Sequence, residues 1–230
     1  MQIVVRQEEK YPMTKLEALK YTDMFLKLLK SDEHSLNGDY SVRSLYFDTV
    51  DDKDFFDKIN EQNLRRKIRL RIYHPSDDYA KLEMKQKENI YQKKRSLIIT
   101  RHDAVEMIRG NYAVLLKYND DFACEMFAIM NEECYRPKAI VEYDRRAFIA
   151  TENNIRLTFD SNIRASETNL NIFDKNLILN PVYDLDKVVF EVKYDRFMLG
   201  YISDIISNVD KRKISSSKYC LSRSIAYPLY

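Results

Sequence analysis

The sequence predicts an α+β protein, an antiparallel barrel or pair of curved sheets of about eight strands with helices packed outside. Three observations carry this. Short segments alternate apolar and polar residues with a period of two, the mark of strands with one buried face. Few helical stretches separate neighbouring strands, so the regular alternation of a parallel sheet is excluded. The chain has 230 residues, 45% of them hydrophobic, with three glycines and five prolines. That is enough apolar material for a core and leaves no linker or low-complexity segment. Residues 1–230 read as a single domain.

The first strand is Val4–Tyr11, with Arg6, Glu8 and Lys10 on one face, and Pro12-Met13-Thr14 ends it. Thr14 with Glu17 three residues on is a capping box. It opens a helix to about Lys30 whose apolar stripe is Leu16, Leu19, Met24, Phe25 and Leu28. After a polar loop comes the strand Tyr40–Asp48, then a short helix in Thr49–Glu61 with Phe55, Phe56 and Ile59 inward.

The hairpin that follows has the clearest pattern. Lys67, Arg69, Arg71 and Tyr73 share one face, and Ile68, Leu70 and Ile72 the other. His74-Pro75-Ser76-Asp77-Asp78 is a turn. On the return strand Ala80–Lys87, Lys81, Glu83, Lys85 and Lys87 oppose Leu82 and Met84. Asn89–Thr100 is a further strand. The segment from Asp103 to about Glu133 is helical, bears Met, Phe and Leu, and packs outside the sheet.

The rest is mostly strand. Lys138–Phe148 puts Glu142, Asp144 and Arg146 on one face. Ile155–Asp160 sets Arg156, Thr158 and Asp160 against Ile155, Leu157 and Phe159. Val188–Tyr194 sets Val189, Glu191 and Lys193 against Val188, Phe190 and Val192. A helix over Leu199–Ser207 and a short helical or turn segment near Lys213–Tyr219 close the pattern.

Net charge is +2, from 38 basic and 36 acidic residues, so any anion site is local. Nucleic acid is excluded as a partner, because the cations alternate with apolar residues and form no exposed basic run. Cys124, Cys134 and Cys220 have no metal-ligand spacing and read as core residues in a reducing compartment. The N-terminus is charged too early for a signal peptide, and no run approaches the ~20 apolar residues of a membrane span. These features place the protein in the cytoplasm. With three glycines there is no glycine-rich phosphate loop.

Two readings of the charged strand faces stand side by side. They are solvated outer faces, or, if the sheet closes, the lining of a wet lumen. Such a lumen would be self-repelling when empty and would call for a polyanion. Arginines grip phosphate oxygens bidentately and lysines act as point charges. The interspersed carboxylates suit Mg²⁺, which one or two carboxylates hold together with substrate phosphates.

Eight pieces in order then resemble one family. They are Arg6-Gln-Glu-Glu-Lys-Tyr11, Val42-Arg-Ser-Leu-Tyr-Phe-Asp-Thr49, Lys67-Ile-Arg-Leu-Arg-Ile-Tyr73, Leu82-Glu-Met-Lys-Gln-Lys87, Val141-Glu-Tyr-Asp-Arg-Arg-Ala-Phe148, Arg156-Leu-Thr-Phe-Asp160, Phe190-Glu-Val-Lys193 and Ser217-Lys-Tyr219. The sequence resembles the vacuolar transporter chaperone (VTC) domain, the polyphosphate polymerase branch of the CYTH-like triphosphate tunnel enzymes. The resemblance implies an eight-stranded antiparallel tunnel, a closed barrel, that transfers the terminal phosphate of ATP onto polyphosphate with Mn²⁺ or Mg²⁺. It implies that Lys10, Arg69, Arg71 and Lys85 act at the transfer centre, with Glu191, joined by Glu8, as metal ligand. Arg6, Lys87, Arg146, Arg156, Lys193, Ser217 and Lys218 would hold the phosphate chain. Arg146 is preferred to Arg145 because it shares the face of Glu142. The triphosphatase branch opens with Glu-x-Glu-x-Lys, whereas this chain has Arg6-x-Glu8-x-Lys10. The lost carboxylate favours polymerase over triphosphatase; a non-catalytic polyphosphate-binding module is the third reading.

Overall fold

The computed structural model describes residues 6–36, 38–89, 91–207, 209, 214 and 217–223. Val4, Val5 and the side chain of Arg6 lie outside them, as do Lys213, Ser215 and Ser216. The fold is α+β with a large antiparallel sheet. The chain divides into two compact units, residues 1–41, 143–163 and 183–217 in one and 42–142, 164–182 and 218–230 in the other.

The first unit holds β1 (Arg6–Thr14), α1 (Lys15–Leu28), β2 (Lys30–Ser31), β10 (Lys187–Asp195) and α5 (Gly200–Ser207). It also holds most of β8 (Ile155–Ser166) and the second half of β7 (Arg136–Ala150). β1 pairs with β10, and β10 with β8, all antiparallel. β1 does not end before Pro12, as expected, but runs through it to Thr14 with Pro12 opposite Val189. The reason lies two residues earlier. The carbonyl of Lys10 accepts from the amide of Ile214 outside the ladder, so the residues of that parity turn their backbone polar groups away from β10. Pro12 lacks its N–H on that outer side, where the ladder loses nothing.

The capping box opens α1 as expected: the Glu17 amide donates to Thr14 Oγ1 at 3.2 Å, and the Thr14 amide to Glu17 Oε2 at 2.8 Å. The apolar stripe differs. Leu16 and Leu19 are 64% and 62% exposed, and Met24 and Leu28 are exposed too. The buried face is Ala18, Thr22 and Phe25. Phe25 sets the rotation by stacking on Phe159 and Phe190, whose own rings lie 4.9 Å apart. The small side chains of Ala18 and Thr22 let the helix approach. Val188, Phe190, Val192, Ile155 and Leu157 complete this core, on the strand faces the alternation predicts.

The second unit holds β3 (Tyr40–Asp48, from its third residue on), α2 (Lys53–Ile59), β4 (Leu64–Ile72), β5 (Tyr79–Glu88) and β6 (Tyr91–Thr100). α3 (Arg101–Ile108), α4 (Asp121–Glu132), β9 (Asn180–Pro181) and α6 (Lys218–Arg223) follow. Ile68, Leu70 and Ile72 pack with Leu82 and Met84 against Ala104 and Met107 of α3 and Phe122, Ala123, Met126 and Met130 of α4. The helices thus cover the apolar side of the hairpin and leave its charged side clear, as expected. Of the three apolar residues expected inward on α2, only Phe55 is buried; Phe56 and Ile59 are exposed.

Along the hydrogen-bonded path the strands run β1-β10-β8-β7-β3-β4-β5-β6, with β2 beside β7 and β9 beside β8. The path has the expected eight strands, but it ends at β1 and β6, so among the described residues the pairing is not a closed ring. Cys220 is buried, whereas Cys124 and Cys134 are exposed, against their reading as core residues. Cys124 lies on α4 away from its buried Phe122–Ala123–Met126–Met130 face, and Cys134 takes the left-handed turn after it, with φ of 52°. Among the described residues no helix is long and apolar enough to cross a membrane.

Candidate functional site

Each unit carries one charged strand face. In the first, the β1–β10 register puts Glu8 opposite Lys193 and Lys10 opposite Glu191, a square of alternating charge. Lys10 Nζ lies 3.3 Å from Glu8 Oε1, and Lys193 Nζ bonds Glu191. The two lysines differ. Burial works against both ammonium groups, but Glu191 and then Glu8 more than offset it at Lys10, whose pKa is raised. At Lys193 burial wins and the pKa is lowered. β8 extends the face: Thr158 stands opposite Glu191 and Arg156 opposite Lys193. Arg156 reaches Asp32 and the Tyr40 hydroxyl, each at 3.1 Å.

Arg145, not Arg146, belongs to this face. Its guanidinium makes two parallel bonds to the buried Asp160, at 2.6 and 2.7 Å, and lies over the Tyr143 ring. Despite burial, Asp160, Tyr143 and Glu191 hold its pKa well up. Arg146 pairs instead with Asp39 near the surface. Grouping Arg146 with Glu142 was sound, since both lie on the even face of β7. That face is the core-facing one, carrying the core residues Ile140 and Phe148. Glu142 is buried there, bonded by Arg43 at 2.6 Å and Arg164 at 2.9 Å, while Arg43 also donates to the carbonyls of Ile172 and Asp174. It anchors a loop.

In the second unit the β4–β5 register sets Arg69 opposite Glu83. Glu83 is buried and meets Arg69 Nε at 2.8 Å, Arg71 Nη2 at 3.6 Å and the ammonium of Lys94. Burial opposes its charge, but Arg69, Arg71 and Lys94 hold its pKa well below the usual carboxylate range. The next row toward the open end is Lys67, Lys85 and Lys94, directly opposite one another across β4, β5 and β6. Beyond it Lys87 faces Arg65.

Ser217, the last residue of the first unit, is buried, and Lys218 opens α6 in the second. Tyr219 donates to Asp48 at 2.7 Å, and Arg223 bonds Asp52 at 2.7 Å and Glu167 at 2.9 Å. Asp48 also accepts from the amides of Thr49, Asp54 and Phe55, so one carboxylate starts α2 and holds α6.

Of the residues named from sequence, Lys10, Glu8, Glu191, Lys193 and Arg156 share the first face, and Arg69, Arg71, Lys85 and Lys87 the second. Tyr46, Asp48, Asp160 and Tyr219 were missed as site residues. For Tyr46 and Asp48 a signal existed, since they alternate with the core residues Leu45 and Phe47.

Among the described residues no three His, Cys, Asp or Glu side chains converge as a metal site. Glu8 and Glu191, diagonal neighbours on adjacent strands, still suit a divalent cation that takes its other ligands from phosphate and water.

A family model for the VTC domain matches residues 5–227. The chain belongs to the VTC domain family. No curated protein matches it in sequence. Among solved structures it is similar to a candidate adenylate cyclase from Bacillus halodurans, at TM-score 0.51 and 11% identity over 94% of each chain. A conserved hypothetical protein from Pyrococcus furiosus gives a TM-score of 0.46 at 9% identity, over 92% of this chain and 96% of that one.

Proposed function

We propose that this protein is a metal-dependent polyphosphate polymerase that moves the terminal phosphate of ATP onto a polyphosphate chain held by its basic strand faces. The observation that carries the reading is the lysine row Lys67–Lys85–Lys94. Strands β4, β5 and β6 set these three lysines with Arg69 and Arg71 around one carboxylate, Glu83, a surplus of cations that suits a polyanion. Membership of the VTC family supports the same substrate class.

Phosphoryl transfer needs positioning and charge neutralisation more than covalent chemistry by the protein. Arg69, Arg71 and Lys85 hold triphosphate oxygens while a terminal oxygen of the chain attacks the γ-phosphorus. The bond to the β–γ bridging oxygen breaks, ADP leaves, and the chain is one phosphate longer. Lys10, Lys193 and Arg156 neutralise phosphates, and Arg145 takes the role first given to Arg146. Lys87, Ser217 and Lys218 hold the chain, and the family resemblance gives the same role to Arg6, whose side chain lies outside the described residues. Mn²⁺ or Mg²⁺ on Glu191 and Glu8 would supply further neutralisation at phosphate oxygens.

Purified protein with ATP and Mn²⁺ is expected to give polyphosphate on a gel, and Glu191→Ala to give none. Free phosphate without chains would point to a triphosphatase. Tight tripolyphosphate binding without turnover, unchanged in Glu191→Ala, would leave a binding module.

A further inference from the structure

We infer that Ser44 is a substrate-binding residue, its hydroxyl and Arg71 Nε together donating to one phosphoryl oxygen. This rests on the proposed phosphate-binding role of Arg71. Ser44 stands directly opposite Arg71 in the β3–β4 register. It lies on the arginine face, because Tyr46, two residues on, bonds Arg69 through its hydroxyl at 3.0 Å. Ser44 is fully buried, yet its Oγ has no hydrogen-bond partner among the described residues. The same holds for Arg71 Nε, although Arg71 Nη2 leans toward Glu83 at 3.6 Å.

Buried polar atoms are ordinarily paired. Here two unpaired ones face each other from adjacent strands, where opposed side chains stand about 5 Å apart at Cβ. Each can donate. Both donors lie beside a guanidinium, so the partner that satisfies them is an oxygen of an anion. The hydroxyl adds what a charge alone lacks, a fixed direction. An alanine at position 44 would fill the same strand position without leaving a buried hydroxyl, so the serine costs the ligand-free protein and benefits the complex.

The test is calorimetric titration of the full chain with inorganic tripolyphosphate, together with Tm measured without ligand. Ser44→Ala and Ser44→Cys are each expected to weaken binding about tenfold, the scale of one hydrogen bond to a charged group, with ligand-free Tm unchanged or raised. Arg71→Lys keeps the charge and removes Nε. Because both donors serve one oxygen, adding Ser44→Ala to Arg71→Lys is expected to cost little more than either alone. Parental affinity in both Ser44 variants, with binding lost in Arg71→Ala, would overturn the inference and leave the polyphosphate reading standing. So would fully multiplicative losses in the double variant, or affinity losses matched by falls in ligand-free Tm. Parental affinity in Arg71→Ala would overturn the phosphate role of Arg71 and this inference with it.

Discussion

The ring of Tyr46 stacks on that of Tyr219 at 5.1 Å and 24°, while its hydroxyl accepts from Arg69 Nη1 at 3.0 Å. One side chain of β3 therefore touches both an arginine of the charged face and the short helix that begins at Lys218. Tyr219 is pinned from the other end by Asp48. The position of Lys218 thus depends on the same strand that orients Arg69.

Removing the Tyr219 hydroxyl tests that arrangement. Tyr219→Phe keeps the stack and loses the bond to Asp48, which retains three backbone donors. A loss of about 1–2 kcal/mol is expected, a fall in Tm of roughly 3–6 °C. Tyr219→Ala, which also empties a buried ring site, is expected to cost about 3–5 kcal/mol. Thermal denaturation of the two variants checks the order.

Arg145 and Arg146 are neighbours in sequence and opposites in consequence. Arg145→Ala takes both guanidinium bonds from the buried Asp160, at an expected cost of about 3–5 kcal/mol. Arg146→Ala removes a near-surface pair with Asp39, and less than about 1 kcal/mol is expected. Denaturant unfolding separates the two, and equal losses would contradict the assigned faces.

Glu83 makes the protein acid-sensitive. Its carboxyl is held below its unfolded value by Arg69, Arg71 and Lys94, against burial. A lowered folded pKa means that the stabilisation is full above the unfolded value near 4.3 and fades as pH falls below it. In Glu83→Gln this part of the acid dependence should vanish, and stability at neutral pH should drop, because three cations lose their shared partner. Melting curves from pH 3 to 7 read both effects.

Asp54 acts in the opposite direction. Its Oδ2 accepts from Tyr135 at 3.0 Å, Oδ1 has no hydrogen-bond partner among the described residues, and Arg66 Nε is 3.7 Å away. Burial first, and the charge of Asp48 second, raise its pKa to about 7. The folded state therefore binds the proton more tightly than the unfolded one, and this contribution to stability declines from about pH 4 to about pH 7. Asp54→Asn is expected to raise stability at pH 8 by an amount on the order of 1–2 kcal/mol, read as a higher Tm, and to change little at pH 4.

Much of this was legible in the sequence where period two was unbroken. Ile68, Leu70 and Ile72 against Lys67, Arg69 and Arg71 fixed both faces of the hairpin, and Glu191 with Lys193 did the same for β10. The pattern failed where both faces of a strand are buried. Along β7 Glu142 and Arg145 are both buried and charged, so alternation alone could not say which parity faced the core. It failed again on α1, where the contact is made by Ala18 and Thr22, residues too small or polar to announce themselves beside four leucines. Pairings distant in sequence, such as Tyr219 with Asp48, leave no local pattern at all.

The end strand β1 has a further consequence. Sheet borders invite strands from other molecules, since they offer a row of open amides and carbonyls. A visiting strand would meet the Lys10 carbonyl already engaged by Ile214 and, two residues on, no amide at Pro12. Fibril-like growth from this border is blocked at consecutive rungs. Pro12→Ala should therefore fold as the parent does, yet be the variant that clouds on concentration.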